Sequence, residues 1–279
     1  MDNLFRNVSF KISRLVTNSY STSFSLGVKC LDLSVRDAVY SIYGFVRFAD
    51  EIVDTLHEYD KNKLIIEFGN QYVEAINDGI SMNPIINSFQ LTVKRYNINQ
   101  ELVQAFFRSM KSDLVKTCFD EVEIKDYIYG SADAVGLMCL RIFVDGNDSE
   151  YERLKPFAMS LGSAFQKINF LRDIKKDSKE LNRVYFPVLG ENMLNDKNKK
   201  IIIGNIEEDF KNAKKGIKQL PNNSRLGVYV AYLYYHSLTE KIKRTPAEIL
   251  MEKRISVNSL NKLLLLIKAY LQVKVFRVI

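Results

Sequence analysis

Residues 35–56 read VRDAVYSIYGFVRFADEIVDTL. Val39, Ile42, Phe45, Val46 and Ala49 recur at three- and four-residue steps, the spacing of one buried helical face. Ser34 stands where an N-cap would. At about 100° per residue, with Tyr43 as zero, Arg47 falls near about +40°, Asp50 near about −20° and Asp54 near about +20°. A phenol, a cation and two carboxylates therefore share one stripe of an otherwise apolar helix.

A second stretch, AFQKINFLRDIKKD at 164–177, repeats the pattern. With Gln166 as zero, Gly162 lies near about −40°, Asn169 near about −60°, Asp173 near about −20° and Asp177 near about +20°. Two amides and two carboxylates line one face, and the glycine leaves room for a ligand. Arg172 points partly away, either to reach round to a phosphate or to brace a neighbouring helix. Carboxylates four apart repel each other, and drawing them toward an apolar interior costs more unless positive charge meets them. A divalent cation shared by two facing helices with an anionic substrate explains both pairs. Mg²⁺ fits, since it takes oxygen ligands and commonly uses one or two carboxylates plus substrate phosphates. Spacing alone is weak evidence. Asp54/Glu58, Glu74/Asp78, Asp148/Glu152 and Glu248/Glu252 share it, mostly in more polar sequence that reads as solvated faces.

A third face comes from YIYGSADAVG at 127–136, where Tyr129, Ala132, Asp133 and Gly136 cluster within about 100°. It suits either the wall of a cavity for a long apolar molecule or close helix packing.

Helical periodicity extends over the rest of the chain, near 61–78, 84–96, 99–116, 123–144, 150–177, 205–219, 224–243 and 256–271. Strand-like alternation is brief, at 184–188 and 273–278. The fold class is all-α, a bundle around a central cavity. The absence of linkers, low-complexity runs or repeats in 279 residues points to one domain over 1–279. SKELNRVYFPVLG at 178–190 reads as a loop, continued by polar residues 190–199, and its place after the second acidic helix suits a lid.

Hydrophobic residues make up 47% and charged residues 26%, as in a soluble globular protein with a core. The net charge of +7 allows nucleic acid, a polyanionic small substrate, an anionic membrane or merely a basic surface. No helix-turn-helix, zinc or RNA-binding signature accompanies it, so nucleic acid is not expected. Cys30, Cys118 and Cys139 form neither a zinc spacing nor a disulfide framework, which fits a reducing cytoplasm. No signal-peptide core or bilayer-length apolar run is evident. His57 and His236 read as ordinary polar residues. The C-terminal stretch NKLLLLIKAYLQVKVFRVI suits either rest on an anionic surface or a packed last helix with a frayed tail.

Taken together, YSIYGFVRFADEIVD (40–54), AFQKINFLRDIKKD (164–177) and NRVYFP (182–187) resemble the squalene/phytoene synthase family of head-to-head prenyl transferases. YSTSFSLG (20–27), YIYGSADAVGLM (127–138) and the late YHSLTEKI and KRISV segments follow in the family's order. The wording at 127–138 and 163–173 resembles that of bacterial phytoene synthases. One departure is Ser131-Ala132-Asp133, where the family usually carries Val-Ala-Gly; Asp133 either adds a polar contact to the cavity or alters substrate fit.

The resemblance implies an isoprenoid-synthase-type bundle and a Mg²⁺-dependent joining of two geranylgeranyl diphosphates, through a cyclopropylcarbinyl diphosphate, to phytoene. Mn²⁺ is an alternative metal, and no NADPH is needed for phytoene. It implies metal binding by Asp50, Asp54, Asn169, Asp173 and Asp177. Catalytic roles fall to the aspartates with Arg47, Tyr43 and Tyr129. Substrate contacts fall to Ser21, Ser23, Gln166, Asn169, Arg172, Tyr235 and Arg254. Alternatives are a dehydrosqualene or squalene synthase using farnesyl diphosphate, and a non-catalytic scaffold of the same fold. Expected partners are polyprenyl diphosphates and, at the periphery, a membrane; oligomeric state is left open.

Overall fold

Local signals start and stop the helices. Asp32 accepts the Ser34 amide at 2.9 Å and opens α3 (Leu33–Asp54), so the cap lies two residues before the one expected. Asp60 caps α4 (Lys61–Asp78), which ends on Gly79 at φ +80°, a conformation that glycine adopts without a Cβ clash. Asn83 caps α5 (Pro84–Arg95), with proline at its first position, where no amide is needed. Asn147 opens α9 (Asp148–Lys179), 32 residues and roughly 48 Å long at 1.5 Å per residue.

The computed structural model describes residues 2–181, 183–189 and 194–279. The remaining helices are α1 (Asp2–Tyr20), α2 (Thr22–Lys29), α6 (Gln100–Ser112), α7 (Glu121–Ile128), α8 (Ala134–Phe143), α10 (Asp196–Ile217), α11 (Arg225–Arg244), α12 (Ala247–Glu252) and α13 (Ser259–Tyr270). The architecture is all-α, and among the described residues no strand forms. Val184 contributes one isolated bridge to Cys118, and Leu271–Val275 is a π-helical turn. Both strand-like stretches are therefore not strands: alternation over so few residues is not enough without a partner edge.

The first twenty residues carry a helix that apolar periodicity does not reveal. The buried face of α1 is Ser9, Ser13 and Thr17, each fully inaccessible. They meet a matching polar seam: Ser13 and Ser88 hydroxyls lie 2.7 Å apart, and Asn87 donates to Ser9 at 3.1 Å. Ser41 and Thr92 extend the seam between α3 and α5. Small hydroxyls let α1, α3 and α5 approach closely while satisfying each other in the interior.

A π-helical turn, Tyr129–Asp133, links α7 to α8. It carries one more residue per turn than an α-helix and so rotates everything that follows. Gly130 makes the turn's contact with α6, since a Cβ there would collide with Ser109 Oγ and the Ala105 carbonyl.

The expected lid is a packed strap where it is described. Tyr185, Phe186 and Leu189 are buried, Tyr185 stacks on Phe170 at 4.1 Å, and Val184 donates to the Thr117 carbonyl at 2.7 Å. Residues 182 and 190–193 of that stretch lie outside the described residues. Asn195 caps α10, so the polar tail of the stretch is helical from Asp196. No described helix is long and apolar enough to cross a membrane.

Candidate active site

Helices α3 and α9 face each other across a cavity of about 400 Å³. Tyr43, Arg47 and Asp50 line it from α3, and Gln166 and Asn169 from α9. Its α9 wall descends through Phe165, Leu161, Ala158 and Phe157 to Leu154. From Asn169 to Leu154 that wall measures roughly 22 Å at 1.5 Å per residue. One end is thus polar and the rest apolar, with Phe143, Ile217 and Leu220 also in the apolar lining.

At the polar end the aspartates meet arginines. Arg47 binds Asp50 and, at 2.5 Å, Glu51, and its guanidinium lies 4.5 Å from the centre of the Tyr20 ring. Arg172 and Arg254 converge on Asp173 at 2.5 and 2.6 Å. Arg183 reaches Asp54 at 3.0 Å. Asp177 makes no ion pair among the described residues.

The charge balance follows from those contacts. Asp50 sits at the cavity lip with 38% of its side chain accessible. Protein on its other sides and the neighbouring Asp54 push its carboxyl up to about 7. Burial, with Asp173 and Asp54 nearby, pushes Asp177 up to about 7 as well. The mutual field of Asp54 and Asp177 ties the α3 pair to the α9 pair across the cavity mouth. Burial opposes ionisation of Asp173 too, but the Arg172 and Arg254 guanidiniums outweigh it and hold that carboxyl below the usual range.

This donor set fits a divalent cation. Two carboxylates that resist ionisation, one of them without a cation, mark a deficit of positive charge. The buried Nε of Arg47 has no hydrogen-bond partner and is a donor in reserve for a phosphate oxygen. Among the described residues no three acidic or imidazole groups close into a ready-made cage. Magnesium held by one or two carboxylates, phosphate oxygens and water needs none.

The residues around this centre divide. Tyr235 donates to Asn169 Oδ1 at 3.2 Å and stacks on Phe165 at 3.9 Å, so it orients the amide and presents a ring to the cavity. Tyr43 stacks on Phe24 at 4.5 Å on the opposite wall. Burial raises the Tyr43 phenol, which bonds Ser21. Ser21 spends its oxygen as the N-cap of α2, accepting the Phe24 amide at 3.1 Å. Ser23 is half-buried in the first turn of α2, and neither serine is among the cavity-lining residues. Tyr129 is also displaced from the expected place. It faces a second cleft with Arg108 and Lys116, while Tyr127 reaches the main cavity. The π turn breaks the 100° count that had put Tyr129 with Ala132 and Gly136, which do line the cavity. Gly162 lines the cavity, and its missing Cβ also gives room to the chain: a Cβ there would sit 2.9 Å from Asp133 Oδ1 and 3.0 Å from the Ala132 carbonyl.

A buried network behind the aspartates was not visible in the sequence. Arg183 is inserted between Asp54 and Asp113 and donates to the Asp113 carbonyl at 2.8 Å. Tyr127 and Tyr185 donate to the two Asp113 carboxylate oxygens at 2.7 and 3.1 Å. Burial lifts Asp113 to about 6 despite Arg183. Only the stretch NRVYFP, already quoted for its resemblance, carried a signal for this network, and it did not single out Arg183.

Asp133 is not a cavity residue. It is buried, and its carboxylate accepts the Ser163 hydroxyl at 2.9 Å, joining the π turn to α9. Burial pushes it up to about 7. Because its folded pKa exceeds its unfolded value, the fold binds the proton more tightly. Stability is therefore lost as pH rises from about 4 toward about 7, then stays flat. Asp133→Asn keeps an acceptor for Ser163 and removes this dependence. Relative to the parent it gains melting temperature at pH 8, and the gain shrinks by pH 5. Thermal melts at the two pH values check this.

Comparison with known proteins shows the family and the fold. Residues 17–189 match the family model described as squalene/phytoene synthase. A phytoene synthase from Arthrospira platensis is 25% identical, over 97% of this chain and 95% of its own length. A chloroplastic phytoene synthase 2 from Oryza sativa is 27% identical over 91% of this chain and 68% of its own. The fold is shared with a ligand-bound dehydrosqualene synthase at TM-score 0.79 and 16% identity, covering 96% of this chain and 98% of the other. It is shared also with a squalene synthase from Alicyclobacillus acidocaldarius at TM-score 0.74 and 20% identity, covering 86% and 94%.

Proposed function

Because this chain belongs to the squalene/phytoene synthase family of prenyltransferase-type enzymes, we propose that it joins two geranylgeranyl diphosphates head to head to give phytoene. The observation that carries this reading is the cavity itself, roughly 22 Å long on its α9 wall, acidic and basic at one end and apolar at the other. Such a shape suits a long polyprenyl chain with a diphosphate at its head.

The diphosphate sits at the mouth. Arg47, with its free Nε, and the Arg172 and Arg254 pair offer planar donor forks to its oxygens. Asp50, Asp54, Asp173, Asp177 and Asn169 would hold Mg²⁺, which supplies charge to the departing diphosphate. Leaving-group departure creates an allylic cation. The Tyr43–Phe24 and Tyr235–Phe165 stacks set aromatic faces on either side of the space it would occupy. The apolar walls exclude water and so protect the cation while the second substrate's double bond attacks. Loss of a proton from the resulting cation closes a cyclopropylcarbinyl diphosphate, and a second ionisation, rearrangement and second proton loss follow. Phytoene formation needs no hydride donor.

Incubation of purified protein with Mg²⁺ and either the fifteen- or the twenty-carbon diphosphate, with and without NADPH, tests the assignment. Phytoene from the twenty-carbon substrate is the expected main product, unaffected by NADPH. A thirty-carbon product formed preferentially from farnesyl diphosphate would replace this reading with dehydrosqualene or squalene synthesis. No product from either, with no Mg²⁺- and diphosphate-dependent rise in melting temperature, would favour the scaffold.

A further inference from the structure

Helix α13 is apolar on two faces and, among the described residues, has a partner for only one. Leu265, Leu266 and Ala269 pack on the core, with α13 lying against α11. On the other side Leu260, Leu263, Leu264 and Ile267 form a stripe of about 100°, each between 48% and 65% accessible. Tyr270, Leu271, Val275, Phe276 and Val278 continue it. Nine of the chain's large exposed hydrophobic residues thus fall within 260–278, far more than scatter would place there.

Charge identifies what covers this stripe. Residues 253–279 contain Lys253, Arg254, Lys262, Lys268, Lys274 and Arg277 and no acidic residue. Lys268, Lys274 and Arg277 are exposed along with the stripe. A second copy of the chain would set this patch against itself, cation against cation, because a two-fold interface is self-complementary. An anionic bilayer matches both features, taking the leucines into the acyl boundary and the lysines among the phosphates. The patch also adjoins the cavity mouth: Arg254, in the same basic stretch, binds Asp173, and Lys262 Nζ lies 3.3 Å from Thr22 Oγ1 at the start of α2.

We infer that the exposed face of α13 and the residues after it dock the protein on an anionic phospholipid surface, with the cavity mouth next to the lipid. The inference goes beyond the proposed reaction and stands on the surface alone, so a protein inactive in the product assay would still dock.

Vesicle flotation tests it, with phosphatidylcholine alone and with phosphatidylcholine mixed with phosphatidylglycerol. The protein is expected to float with the mixed vesicles, not with the neutral ones, and to be released by high salt. Lys268→Gln with Lys274→Gln is expected to lower partitioning about 25-fold, at about fivefold per charge. Leu264→Ser with Ile267→Ser is expected to abolish flotation, with the melting temperature and the turnover of detergent-dispersed substrate unchanged. Three results would each overturn the inference: no flotation of the parent protein with mixed vesicles, flotation insensitive to both double variants, or a dimer in sedimentation that the leucine–isoleucine variant dissolves.

Discussion

Asp177→Asn is expected to lower turnover by at least about 10³-fold, the loss when several kcal/mol of metal-borne charge stabilisation vanish at 1.36 kcal/mol per decade. The same variant is expected to be no less stable than the parent. Asp177 has no ion pair among the described residues, and its burial beside Asp173 and Asp54 already disfavours the charged form. Its folded pKa, about 7, lies above the unfolded value, so ionisation costs stability increasingly from about pH 4 to pH 7 and fully above that. The variant's advantage in melting temperature should therefore be larger at pH 8 than at pH 5. Mg²⁺ with diphosphate should raise the melting temperature of the parent but not of the variant. Asp50→Ala should likewise abolish turnover with helical content intact. A variant that keeps both its turnover and the Mg²⁺- and diphosphate-dependent rise in melting temperature would remove Asp177 from the metal site.

Arg183→Met is expected to cost about 3–5 kcal/mol, the usual price of leaving a buried charge without its partner. Arg183 is 7% exposed and separates two carboxylates that otherwise face each other, Asp54 and Asp113. At about 2–4 °C per kcal/mol for a domain of this size, the melting temperature should fall by about 6–20 °C. Asp113 already lies near about 6 with Arg183 present, and without it the carboxyl rises further. The damage should then be smaller at pH 5, where Asp113 is neutral, than at pH 8. Adding Asp113→Asn to the variant should recover part of the loss, since the amide leaves no net charge between Tyr127 and Tyr185. A melting temperature unchanged at both pH values would show that the network carries no stabilising charge.

Arg183 also limits how far function can be read along the chain. It stands 129 positions from Asp54 and 70 from Asp113, and nothing in the periodicity of either segment foretells that contact. Tyr129 makes a different point. Its helix and neighbourhood were readable, but one extra residue in a π turn swings its ring to another cleft and brings Tyr127 to the cavity.

By itself the sequence determined the helices whose buried faces are apolar. The spacing placed α4 at its observed ends and put Asp50 with Asp54, and Asp173 with Asp177, on shared stripes, because an α-helix carries its face pattern locally at 3.6 residues per turn. It did not determine α1, whose buried face is serine and threonine and becomes interior only where Ser88 and Asn87 meet it. Nor did it decide that Ser21 caps a helix, that Gly162 admits Ala132, or which arginine holds which aspartate. Those depend on groups remote in the chain arriving within a few ångströms, where burial makes an unpaired charge or hydroxyl too costly to leave alone.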